Sequence, residues 1–133
     1  MLEDGLEAVY GPGGSTGPYP YTGGLRFDVN AAATRGERVT AIEVRNPNTG
    51  AWGPLDTARV YKLFVLSFNA TGGDGYKTLA AVPASRRLDI GVLDADVFFS
   101  HIETLPKDAA SGLPVMRRLP VELYSTRSFK GPN

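Results

Sequence analysis

The chain contains no cysteine and a single histidine, His101. The first absence rules out disulfides, thiolate chemistry and cysteine-held zinc, and it leaves the redox compartment open. The second rules out a metal site built from several imidazoles of this chain. Charge of one sign is also lacking, since 14 basic residues oppose 14 acidic ones for a formal net charge of zero. No phosphate-neutralising surface follows from that balance, which argues against nucleic acid or an anionic membrane surface as partner. The pairs Arg86-Arg87 and Arg117-Arg118 are too short to supply one. No apolar run approaches the roughly 18 residues needed to span a bilayer. The opening "MLEDGLEAVYG" has neither the basic start nor the long apolar stretch of a signal peptide.

What is present suits one globular domain over 1–133: 133 residues, 42% hydrophobic and 21% charged. In "MLEDGLEAV", Leu2, Leu6 and Val9 recur at helical spacing, so a short amphipathic helix is expected, with Glu3, Asp4 and Glu7 on its solvated side. It has no cap and no preceding loop, the expectation for a segment of something longer. Residues 11–23 concentrate Gly, Pro, Ser and Tyr into a long loop.

From Gly24 the period changes to two. "LRFDVN" alternates Leu25, Phe27 and Val29 with polar residues, predicting a half-buried strand. "RVTAIEVRN" predicts its antiparallel neighbour, with Val39, Ala41 and Glu43 opposite Thr40, Ile42 and Val44. "NPNTGAW" supplies turn chemistry. "VYKLFVLSF" is nearly continuous in apolar residues and predicts a central strand covered on both faces. Val97, Phe98, His101, Ile102 and Leu105 form a helical stripe between Asp94 as N-cap and Pro106 as stop, making His101 a core-edge residue. "LPVELYS" predicts a last strand. Strands with helices near the two ends, without regular alternation, point to an α+β domain with a mixed, mainly antiparallel sheet and flanking helices.

The stretch with the most chemistry is "FNATGGDGY", Phe68–Tyr76. It is not a P-loop, because Tyr76 stands where that motif needs glycine before the lysine. It is not a calcium loop, lacking acids at alternate positions and the closing glutamate. Asp74-Gly75 is a strong hairpin-turn signal. Three glycines in four positions exceed what a tight turn needs, and close approach of a ligand to the main chain is one reason to keep them. A carboxylate beside an aromatic ring suits a nucleoside, with the ring stacked on the base and the acid on the ribose hydroxyls. Residue chemistry leaves turn and site both open.

"FNATGGDGY" after "WGPLDTARVYKL" resembles the C-terminal domain of the 5'-nucleotidase family, which includes UDP-sugar hydrolases and cyclic-nucleotide phosphodiesterases. "LEDGLEAV" is similar to the family's LE-x-x-V helix, "YTGGLRFDVN" to its next strand and "GERVTAIEV" to the GxRVxxxxV strand. The similarity covers roughly residues 1–105. It implies that this domain recognises substrate, while a preceding metallophosphoesterase domain holds two divalent metal ions and hydrolyses the phosphoester. It implies that Phe68 stacks on the base and Asp74 binds the ribose hydroxyls. Asn69, Gly72, Gly73 and Tyr76 accompany them in the substrate-binding loop, and Gly23 and Gly24 lie near the base.

The segment preceding the LE-x-x-V helix in the family, with a second stacking ring and phosphate-facing arginines, has no counterpart here. The chain by itself is therefore expected to be inactive and to need no cofactor of its own. A nucleotide or nucleoside is the expected ligand, nucleotide catabolism the expected process, and a periplasmic or extracellular location is implied. The rival expectations are a stand-alone nucleoside- or protein-binding module and a paralogue acting on another ester, such as a thiosulfohydrolase.

Overall fold

The period-two segments do build the sheet. In the computed structural model, which describes residues 1–132, Leu25–Asn30 (β1), Val39–Arg45 (β2), Trp52–Pro54 (β3) and Thr126–Lys130 (β4) form one sheet in the order β3-β2-β1-β4. β2 runs antiparallel to β1 and β3, and β4 joins β1 in parallel. The fold is α+β with a mixed, mainly antiparallel sheet. Helix α1, Leu2–Tyr10, lays Leu2 and Leu6 on Phe27 and Val29 of β1, and Leu6 and Phe27 are fully buried. Each such side chain contributes roughly 1.5–3 kcal/mol through burial, so this seam holds the helix to the sheet.

Val39 and Ile42 both pack against this core, although strict alternation over three residues would put them on opposite faces. A β-bulge resolves the conflict. Between the pairs Arg26↔Glu43 and Asp28↔Thr40, β1 advances by two residues and β2 by three. Ala41 takes the extra step in a left-handed conformation, φ 49°, and re-aims the strand by one residue. The alternation expected from the sequence across β2 is therefore broken at Ala41.

The other face of the sheet is tied by charge. Arg127 of β4 grips Asp28 with two donors, at 2.9 and 2.6 Å, and reaches Glu43 at 3.0 Å. Arg26 donates to Glu43 at 2.7 Å and lies over the Trp52 ring at 4.4 Å. The hydrogen bond from Arg127 holds the Asp28 carboxyl below the usual carboxylate range, and the one from Arg26 does the same for Glu43.

Several expected elements take another form. "VYKLFVLSF" is not a strand. Its residues through Leu66 form no regular element and lie outside the sheet, and Val60, Leu63 and Phe64 are exposed. The hydrogen-bonding edges of β1 are already taken by β2 and β4, so hydrophobicity alone finds no central place for the segment. "LPVELYS" becomes a 3-10 turn at Val121–Leu123, and the strand begins only at Thr126. Glu3, Asp4 and Glu7 are not a solvated face. Glu3 accepts from the Gly36 and Val39 amides at 2.8 Å each, Glu7 pairs with Arg38, and Asp4 is buried.

The chain divides into two compact units, Met1–Val82 with the segment from Pro120, and Pro83–Leu119. The second contains helix Asp94–Glu103, where Asp94 is the first helical residue and Leu93 the N-cap. The expected apolar stripe is present but not buried: Val97, Phe98 and His101 are all exposed. His101 is thus a surface residue. Asp108 closes the following turn by accepting from the Ser111 amide and hydroxyl, at 2.8 Å each.

Candidate functional site

"FNATGGDGY" does not form a hairpin. Short helix α2, Ser67–Ala70, leads into a 3-10 turn at Gly73–Gly75, and α3, Lys77–Ala80, follows at once. Thr71 closes α2 by donating its hydroxyl to the Ser67 and Phe68 carbonyls. Gly72 has φ 101° and Gly75 φ 80°, left-handed values that a side chain would strain. Asp74 adopts φ 56° between them. A methyl group added at Gly72 would also meet the Ala80 methyl at 3.2 Å. Helix, reversal and helix thus follow one another between Ser67 and Ala80.

Phe68 is 58% exposed. Its ring lies against the backbone of Gly73, where an added Cβ would fall 2.5–2.6 Å from three ring carbons. Asp74 is exposed, and its Oδ2 accepts from Asn69 Nδ2 at 3.4 Å. An exposed aromatic ring and an exposed carboxylate with one orienting amide therefore stand in one loop.

Tyr76 has a different role. It is buried and donates its hydroxyl to the Pro18 carbonyl at 2.8 Å, fastening the glycine loop to the tyrosine–proline loop. Burial, with the nearby Asp74 and Asp4 charges, pushes its phenol above the ordinary value. Gly5 on α1 makes the contact possible, because a Cβ there would meet the Tyr76 hydroxyl at 2.6 Å. Asp4, one position earlier, accepts from the Thr78 amide at 2.8 Å and from Arg35 Nη2 at 3.1 Å. Burial pushes the Asp4 carboxyl up, and the bonds from Thr78, the charge of the Met1 amino group and the bond from Arg35 outweigh it, leaving the group below its usual value. Sequence reasoning missed Asp4 because its partners are 31 and 74 residues away.

A cleft of about 650 Å³ opens beside the loop. Asn69, Asp74 and Tyr76 line it together with Tyr19, Tyr21 and Gly23. The apolar segment Leu63–Leu66, expected in the core, also lines it. Of the sequence-predicted site residues, Asn69, Asp74, Tyr76 and Gly23 therefore share this cavity. Phe68, Gly72, Gly73 and Gly24 do not line it. Gly24 instead turns the chain into β1, with φ 75° and its carbonyl on the Arg45 amide. Among the described residues, no group of three or more His, Cys, Asp or Glu could hold a metal ion.

The family model for the 5'-nucleotidase C-terminal domain matches residues 1–81, a span that contains the whole glycine loop and cleft. The chain belongs to this family. The NAD 5'-nucleotidase of Haemophilus influenzae is 31% identical over 132 residues, covering 98% of this chain and 20% of that protein. A probable 5'-nucleotidase of Treponema pallidum is 40% identical over 108 residues, covering 80% of this chain and 17% of that one. Among solved structures, that of Haemophilus influenzae NAD nucleotidase (NadN) superposes with a TM-score of 0.68 at 25% identity, over 99% of this chain and 22% of the other. This 5'-nucleotidase C-terminal domain thus spans about a fifth of the length of the curated relatives it matches.

Proposed function

We propose that this chain is the nucleoside-recognising part of a 5'-nucleotidase-type phosphohydrolase acting in nucleotide catabolism. The observation that carries the reading is one loop with an exposed, backbone-backed ring at Phe68 and an exposed, amide-oriented carboxylate at Asp74. A flat apolar ring suits the base, with stacking worth roughly 1–3 kcal/mol. A carboxylate accepts from both vicinal ribose hydroxyls, and Asn69 takes one of its oxygens in the direction that leaves the other free. Gly23, which lines the same cleft as Asp74, has no Cβ to narrow the cavity. Gly72 and Gly73 shape the loop, Tyr76 fastens it, and Gly24 directs the chain into the sheet.

The names of the relatives, NAD 5'-nucleotidase and probable 5'-nucleotidase, favour a nucleotide over another ester. The chain's contribution is positioning, which lowers the barrier by holding the reactant in place. The described residues do not fit a pair of divalent metal ions, so no step through metals is assigned to them. That chemistry belongs to an N-terminal metallophosphoesterase domain of the enzyme. A periplasmic or extracellular location goes with the family resemblance.

Titration of the chain with adenosine, followed by NMR, tests the reading. Phe68→Ala and Asp74→Ala are each expected to weaken binding about tenfold, from the stacking and charged hydrogen-bond magnitudes. Unchanged affinity in both variants would refute it and leave the rival of a protein-binding module.

A further inference from the structure

Of the loop's glycines, Gly72 and Gly75 are explained by their left-handed backbone, but Gly73 is not among the residues with positive φ. Its constraint is space. A Cβ built on Gly73 would lie 2.5 Å from two neighbouring ring carbons of Phe68 and 2.6 Å from a third. No point in the ring plane outside the ring is equally near three consecutive ring atoms, so the contact is with the face. At such distances the atoms overlap, and the nearest atoms are the stiff ring itself, held on a turn closed by Thr71. The ring cannot absorb the overlap by moving a flexible tip. It must rotate away.

We propose that Gly73 is a positioning residue, a backing plate that covers one face of the Phe68 ring and presents only the opposite face to a planar ligand. The consequence for specificity is one-sided stacking: one base per ring, in an orientation set by the backbone of Gly73. A side chain at 73 would remove the platform without touching the ligand. The functional half of this assignment rests on the reading of Phe68 as the stacking ring; the packing half does not.

The test is a cycle of wild type, Gly73→Ala, Phe68→Leu and the double variant, each examined in three ways. In NMR, a Gly73 α-proton held over the Phe68 face is shifted upfield, and the shift collapses in Phe68→Leu. In thermal melts, Gly73→Ala lowers Tm in the wild-type background and by less than half as much when combined with Phe68→Leu, whose smaller side chain makes room. In adenosine titrations, Gly73→Ala weakens binding about tenfold, as expected for a lost stack, and has less than a twofold effect when combined with Phe68→Leu. A merely structural role would lower Tm without producing that background dependence of affinity.

An equal Tm loss in both backgrounds, an unshifted α-proton, or wild-type adenosine affinity in Gly73→Ala overturns the proposal. If Gly73→Ala does not fold but the double variant does, the packing is supported; if neither folds while Phe68→Leu does, it is overturned. Adenosine binding that ignores Phe68→Leu instead sinks the nucleoside reading, and the α-proton shift and melting cycle still decide the packing.

Discussion

Replacing Asp4 by asparagine should destabilise the sheet-bearing unit by about 2–3 kcal/mol, judged from hydrogen bonds to charged groups at roughly 1.5–3 kcal/mol each. The Asp4 side chain is 3% exposed and accepts from two donors on opposite sides, the Thr78 amide and the Arg35 guanidinium. Asparagine offers one acceptor oxygen, and its amide group meets the second donor head-on. The Arg35 side chain is 52% exposed and can turn to water, which keeps its share at the low end. Thr78 has no such exit, because its amide starts α3 against α1. For a domain of this size the loss corresponds to a Tm lower by about 10 °C.

Fluorescence of the single tryptophan, Trp52 in β3, reports melting of this unit. The pH dependence supplies the sharper check. The folded Asp4 carboxyl lies below its ordinary value of 3.8, so near and below that pH the unfolded chain binds the proton more readily. Stability from this group is therefore complete above about pH 5 and lost as pH falls through the folded value. Asp28 and Glu43 add to the same acid limb, but the difference between wild type and Asp4→Asn isolates Asp4. That difference should be widest near neutrality and shrink towards pH 2.5. A gap below 2 °C at pH 7, or one that does not narrow in acid, would refute the buried-carboxylate argument.

Two further substitutions probe the same unit. Gly5→Ala improves helix propensity by up to about 1 kcal/mol, yet its methyl would fall 2.6 Å from the Tyr76 hydroxyl and 2.8 Å from the Pro18 carbonyl. Overpacking of roughly 1–3 kcal/mol should win, so urea titration is expected to show a lower midpoint; a higher one would mean the two loops are not clamped on α1. Ala41→Gly relieves a left-handed alanine and should raise stability by about 0.5–1 kcal/mol, seen as a higher urea midpoint with unchanged slope. Destabilisation there would mean the bulge does not need φ 49° at this position.

The parts of the fold legible in the sequence are those where partners are local or periodic. Leu25, Phe27 and Val29 announce their strand because one face of a sheet is apolar, and Leu2 and Leu6 announce α1 for the corresponding helical reason. The misplaced parts depend on who the neighbour is. Asp4 has the composition of a solvated helix face, and only Arg35 and Thr78, distant in sequence, make it a buried strut. "VYKLFVLSF" has the hydrophobicity of a central strand, but β1 has no edge left to offer. Pro120 and a 3-10 turn delay β4 past most of "LPVELYS", where a last strand is expected.

The glycine loop shows the same limit at closer range. The residues show an excess of glycine over the needs of a turn, and a ligand approaching the main chain is one reason for such an excess. The structure supplies two reasons within the chain itself. Gly72 and Gly75 answer to backbone angles, and Gly73 answers to the face of a ring five residues earlier. The close approach exists, but it is made by Phe68. Glycine at 73 therefore acts on a ligand only through what it does to that ring, and an alanine scan read without the Phe68 background would mistake it for a contact residue.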